Sequence, residues 1–167
     1  MSHVEHKATS PAVVRCAVLT ISDTRTEATD TGGRAICDLL AKAGHQIVGR
    51  RIVRDEPDEV RAAVVEQLGG GEAQVIITTG GTGITSRDRT FETITALLEK
   101  RLDGFGELFR MLSFHQIGSA AMMSRACAGL AQGKVIVSLP GSENAVRLGM
   151  EKLILPELGH LVREASR

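Results

Sequence analysis

Apolar positions in this chain fall into runs of two kinds. "AVVRCAVLTIS" near the start and "AQVIITTGG" from Ala73 are almost uninterrupted aliphatic stretches, and "SRACAGLAQGKVIVSLPG" holds two more on either side of Gln132-Gly133. Such short, branched-aliphatic runs bounded by turn residues predict buried strands, the last two forming a hairpin. "HQIVGRRIV" predicts a shorter strand. Between these runs the period changes. "GRAICDLLAKAGH" repeats its apolar residues at helical spacing and ends on Gly44, and "DEPDEVRAAVVEQLGGG" places Val60, Val64 and Leu68 on one face behind Pro57. Further helices are predicted over Thr90–Lys100, over much of Asp103–His115, and over "SENAVRLGMEKLIL", with Pro156 separating a short final one.

The order is β-α-β-α-β-α, then helices, a hairpin and helices. Fully hydrophobic strands alternating with amphipathic helices predict an α/β protein: a three-layer α/β/α arrangement with a mostly parallel sheet plus an antiparallel hairpin. Residues 1–11 are polar and predict a disordered tail; residues 12–167 read as a single domain.

Composition then removes several classes of function. Lys+Arg and Asp+Glu both number 20, so no global basic field exists for nucleic acid or an anionic membrane. Aromatics are 2 % of residues, too few for the stacking platforms of single-stranded nucleic-acid binders. Cys16, Cys37 and Cys127 form no CxxC pair and lie in apolar segments, which predicts buried thiols in a reducing compartment and argues against zinc. The His3/His6 pair sits in the polar tail and reads as solvated. With no apolar leader or membrane-length run, a cytoplasmic location and no membrane partner are expected.

Candidate chemistry lies in four polar motifs that follow strands or begin helices: "ISDTRTEATDTGG", "VRDEPDE", "TTGGTGITSRD" and "LPGSENA". In doubly wound sheets such positions surround the ligand crevice. Gly80, Gly81, Thr82 and Gly83 make a turn whose amides can converge on a phosphate, although neither a Walker loop nor a dinucleotide fingerprint is present. Asp88 stands between Arg87 and Arg89, which would hold it ionised. Beside a phosphate it calls for Mg²⁺; otherwise it supports the next helix turn. Asp55 is placed as an N-cap or as an acid of the site. Gly141 and Ser142 begin a helix as cap or as phosphate donors, and Ser22 and Asp23 end the first strand as turn residues or ligand contacts. "GFGELFRMLSF" reads as a core or subunit-interface stripe from which Glu107 and Arg110 could face a substrate.

"TTGGTGITSRDRT" closely resembles the T-x-GGTG-x-x-x-RD-x-T signature of the MoaB/MogA molybdenum cofactor biosynthesis family. "ISD", "LPGS" and "GFGELFRMLSF…IG…SR" match in the same order, the last closer to the MoaB branch, and the resemblance runs from about Val13 to Leu155. It implies a molybdopterin-binding, MogA-like fold, a homo-trimer or hexamer, and association with other enzymes of that pathway. It also implies adenylyltransferase chemistry, in which Mg²⁺ and ATP convert molybdopterin to adenylyl-molybdopterin with release of pyrophosphate. The alternative is a non-catalytic molybdopterin carrier in the same pathway. The family's two functional aspartates fall on Asp88 and Asp55, both implied to bind Mg²⁺, and its PGS serine on Ser142. Two positions depart: Arg54 stands where the family usually has Pro, and Phe91 where Pro commonly follows the signature threonine.

Overall fold

A computed structural model of the protein describes residues 2–167; Met1 and the side chains of His3 and His6 lie outside that description, and with them the reading of the two histidines as solvated. Six strands form one sheet: β1 (Arg15–Ile21), β2 (Gln46–Val53), β3 (Val75–Thr79), β4 (Lys100–Arg101), β5 (Cys127–Ala131) and β6 (Lys134–Leu139). Their spatial order is β2-β1-β3-β6-β5-β4. β2, β1, β3 and β6 run parallel, whereas β5 is antiparallel to β6 and β4 to β5. The two-residue β4 was not foreseen: the expected helix over 90–100 stops earlier, as α4 (Thr90–Leu97), and the chain then pairs with β5.

Side chains alternate between the two sheet faces, and each face has its own helices. Val75 and Ile77 of β3 join a cluster with Ile36 and Leu40 of α2 (Thr31–Lys42), Val146 of α6 (Glu143–Gly149), and Leu158 and Val162 of α7 (Leu155–Ala165). Ile76, between them in sequence, packs instead with Val60, Val64 and Leu68 of α3 (Pro57–Gly69) and Ile94 of α4. Complete burial of such an aliphatic side chain contributes about 1.5–3 kcal/mol, so this period-two alternation holds the three layers in register. α5 (Asp103–Ile117) packs beside the layers through Phe109, which meets Leu148 and Ala126. The hairpin turn is built as expected, with positive φ at both Gln132 (51°) and Gly133 (74°).

Two expectations are corrected. Residues His3–Ala8, expected to be disordered, form a helix, α1. Six residues cannot hold a helix by propensity alone. This one has a reciprocal cap between Ser2 and Glu5, and Lys7 pairs with Glu157 of α7 at 2.5 Å. Pro156 does not break the last helix, because Ile154 and Leu155 keep helical backbone angles. A π-helical segment, Met150–Ile154, precedes the proline, with Leu155 N–H donating to the Met150 carbonyl; the wider turn accommodates the proline's missing donor.

For the site, the decisive feature is that α2 carries the chain from β1 outward to β2, while α3 brings it back across β1 to β3. Strand order therefore reverses between β1 and β3, and a crevice opens beyond their carboxyl ends.

Candidate functional site

At the β1/β3 crevice the backbone must fold back on itself. Gly80 has φ 107°, and a Cβ there would run into the Ile21 carbonyl oxygen; Gly81 has φ 70°, and its Cβ would fall on the Thr90 hydroxyl. Only glycine permits either arrangement. The Gly141 loop crosses the same turn, close enough that a Cβ at Gly141 would sit 3.5 Å from Gly80 Cα. A cleft of 290 Å³ results, lined by Thr20, Ser22, Arg25, Thr79, Gly80 and Ser142 among others. Ser142 caps α6, accepting from Ala145 N at 3.3 Å, and Ser22 Oγ accepts from the amides of Thr24 (3.1 Å) and Arg25 (3.0 Å). The local turn and cap roles expected for these serines are thus present at the rim of the cleft. Thr82 is buried, and its carbonyl is taken by the Arg125 amide at 2.8 Å.

Asp55 and Asp88 come from loops after different strands, yet both flank the glycine turn. A Cβ at Gly81 would lie 3.4 Å from Asp55 Oδ1, and one at Gly83 would lie 2.7 Å from Asp88 Oδ2. Neither acid caps a helix. Glu56 occupies the N-cap of α3 without a side-chain bond, and Arg89 occupies that of α4. Asp88 instead closes its own loop, accepting from Thr85 N at 2.9 Å and Thr85 Oγ1 at 2.7 Å. Burial pushes its pKa up, but the Thr85 bonds, the Gly83 amide and the charge of Arg125 outweigh this and hold the carboxyl below its ordinary range. Asp55 is shifted the other way: burial raises it, Asp23 and Asp88 add repulsion, and Arg87 offsets only part. Asp23 bridges to the second acid loop, accepting from Asp55 N at 3.0 Å and Arg87 at 2.8 Å, and those two bonds lower its pKa.

The cation read as holding Asp88 is a different one. Arg87 turns away to Asp23, the Asp55 carbonyl (3.1 Å) and Glu56 (3.1 Å). Arg125, distant in sequence, reaches the Asp88 loop instead, with Nε on Gly83 O (2.9 Å) and NH2 on Asp88 O (2.7 Å). It belongs to the "SR" pair of the matched pattern, which was the signal available for it. Thr90, which closes the glycine signature, is a second unanticipated feature: its hydroxyl is buried without a hydrogen-bond partner. A wider cleft of 650 Å³ opens on the far side of the acid loop, lined by Arg61, Ile84, Asp88, Arg89, Glu92 and Arg125 among others. Glu107 is exposed on α5, and Arg110 donates to the carbonyls of Ser124 (3.4 Å) and Ala126 (3.2 Å), so it seats the segment that carries Arg125.

Two of the amides expected to converge on a phosphate are engaged within the protein, Gly80 N–H on the Leu139 carbonyl (2.9 Å) and Gly83 N–H on the Asp88 carboxylate. Paired acids beside a glycine turn and hydroxyls, without a serine or cysteine nucleophile next to a base among the described residues, suit transfer of a phosphorus-centred group by positioning and charge. The pattern of the probable molybdopterin binding domain matches residues 17–160. Molybdenum cofactor biosynthesis protein B of Bacillus cereus is 51 % identical over 168 residues, covering 100 % of this chain and 99 % of the relative. A crystal structure of molybdenum cofactor biosynthesis protein B superposes with a TM-score of 0.90 at 51 % identity, covering 94 % of this chain and 98 % of the other. The tungsten cofactor synthesizing protein MoaB of Pyrococcus furiosus superposes at 0.85 with 39 % identity, covering 95 % and 100 %. With its signature glycine turn flanked by two acids, and with likeness extending over nearly all its length, the chain belongs to the MoaB/MogA family of molybdenum cofactor biosynthesis proteins.

Proposed function

We propose that the protein catalyses Mg²⁺-dependent transfer of the adenylyl group of ATP to molybdopterin. The terminal phosphate oxygen of molybdopterin forms a bond to the α-phosphorus of ATP, the α–β phosphoanhydride bond breaks, and pyrophosphate leaves with that electron pair. The observation that carries this reading is the meeting of Asp55 and Asp88 at one glycine turn. The Ser142 hydroxyl at the start of α6 offers a donor to a phosphate oxygen, and Asp55 and Asp88 would hold the cation that accompanies the triphosphate.

The residues fit Mg²⁺. Burial raises the pKa of Asp55, the charges of Asp23 and Asp88 raise it further, and Arg87 offsets only part, so a divalent cation beside Asp55 would favour its ionised form. Mg²⁺ commonly takes one or two carboxylates and completes its shell with phosphate and water, which is the donor set that Asp55 and Asp88 could begin. Held by Asp55 and Asp88, Mg²⁺ would supply positive charge that offsets the charge of the leaving pyrophosphate.

A homo-oligomer, a trimer or hexamer, accompanies this reading. Leu108, Met111, Phe114 and Ile117 of α5, with Met122 and Met123 just beyond, are exposed. Exposed apolar residues gathered in one short segment are the kind of surface that meets another chain. Cys16, Cys37 and Cys127 are all free, in keeping with a reducing cytoplasm, and none of the described helices is long and apolar enough to cross a membrane.

The direct test incubates the protein with Mg·ATP and molybdopterin and follows adenylyl-molybdopterin and pyrophosphate together. Stoichiometric appearance of both supports the proposal. Pterin binding without either product would instead establish a carrier.

A further inference from the structure

We propose that Arg125 is the positioning residue of the acidic loop, setting where the Asp88 carboxylate stands relative to Asp55. One residue ties down both ends of the segment from Thr82 to Asp88. Its amide donates to Thr82 O at 2.8 Å, Nε to Gly83 O at 2.9 Å and NH2 to Asp88 O at 2.7 Å, while NH1 pairs with Glu92 of α4. Its face lies over the Phe91 ring at 5.3 Å, and Arg101 lies over the same ring at 5.5 Å.

These contacts need a planar fork whose donors point in several fixed directions; a lysine ammonium reaches one or two of the acceptors at a time. The base of the fork is itself held, because Arg110 binds the carbonyls on both sides of Arg125, at Ser124 and Ala126. With Gly83 and Asp88 anchored by their carbonyls, the loop between them closes onto the Asp88 carboxylate through Thr85. Arg125 thus acts through Asp88 and is not assigned to the reacting atoms. Phe91, the departure from the family's proline, joins the same device: it supplies the aromatic surface against which the guanidinium is stacked.

The effect on turnover rests on the adenylyltransferase reading, whereas the effect on the loop does not. The experiment therefore uses the full chain with Arg125→Met, Arg125→Lys and Phe91→Leu, and reads three quantities: hydrogen exchange at the Thr85 amide, the Mg²⁺ concentration that half-saturates ATP binding by calorimetry, and kcat against KM. Loss of a charge-assisted bond corresponds to about tenfold or more, so Arg125→Met is expected to raise both Thr85 exchange and half-saturating Mg²⁺ by at least about tenfold. It is expected to lower kcat more than it raises KM for ATP. Arg125→Lys should recover part of each loss, and Phe91→Leu should shift each in the same direction by less. A folded Arg125→Met (or Arg125→Lys, should the former not fold) that melts at a lower temperature yet keeps wild-type Thr85 exchange and Mg²⁺ dependence would overturn the inference and leave Arg125 a fold contact alone. Failure of the adenylyltransferase reading looks different: wild-type protein forms no product and binds no Mg·ATP, while Thr85 exchange still reports on Arg125.

Discussion

Gly83→Ala separates the site from the fold. No positive φ is required at Gly83, so the backbone accepts alanine without strain. The added Cβ would stand 2.7 Å from Asp88 Oδ2 and 3.2 Å from its Cγ, too close for either atom to stay. What yields is the free end of the Asp88 side chain, which stretches or loses its bonds to Thr85 N and Oγ1. With net values of about 0.5–1.5 kcal/mol per hydrogen bond, partial loss of two costs about 1 kcal/mol, equivalent to a fall of about 2–4 °C in melting temperature for a chain of this size. The effect on chemistry should be larger, because a misplacement of about 1 Å at a reacting centre costs about a hundredfold. We expect turnover to drop by about ten- to a hundredfold and Mg·ATP affinity by about tenfold, read by product formation and calorimetry beside a thermal melt. Gly69→Ala is the control: nothing lies within 4 Å of its Cβ and its φ is unremarkable, so both activity and melting temperature should hold or rise slightly. Gly83→Ala with wild-type turnover and Mg·ATP binding would refute the placement of Asp88 in the site.

Three further outcomes are expected. His45 Nδ1 accepts from the Val14 amide at 3.1 Å, and burial lowers its pKa from the ordinary 6.5; the unfolded chain therefore takes up the proton first, and stability should be full above about pH 6.5 and decline as pH falls below it, with a flatter melt-versus-pH curve in His45→Asn. Gly159→Ala would drive a Cβ into the Pro11 carbonyl oxygen, so limited proteolysis should cut the residues before Pro11 faster in the variant while the sheet's melting transition moves little. Met111→Glu with Phe114→Glu places charge on the exposed α5 face, and light scattering should report smaller particles with unchanged circular dichroism; an unchanged mass would move the subunit interface elsewhere.

Most of the fold was legible because periodicity reports burial. Strands β1, β3 and β6 stand out as continuous apolar runs since both their faces are covered, and α2 and α3 stand out because only one face of each is. The misses share a cause. β4 is two exposed residues whose strand character comes from its partner, α1 is helical because α7 holds it, and Pro156 is tolerated because the preceding turn widens. Each is a local state chosen by a distant contact, which a window along the chain does not contain.

The candidate site divides along the same line. The amino-acid order by itself determined that a glycine turn follows a buried strand, that acids and serines stand where strands give way to helices, and that these match one family's signature. Only the tertiary structure decided which of them meet. Asp55 and Asp88 share a turn because strand order reverses between β1 and β3, Arg87 is drawn to Asp23 because β1 and β3 end side by side, and Arg125 becomes the partner of the Asp88 loop because the segment before β5 pairs with Thr82. Sequence spacing carries the chemistry of each group, but the distances between groups on different strands are set by sheet topology, and electrostatic coupling depends on distance through space.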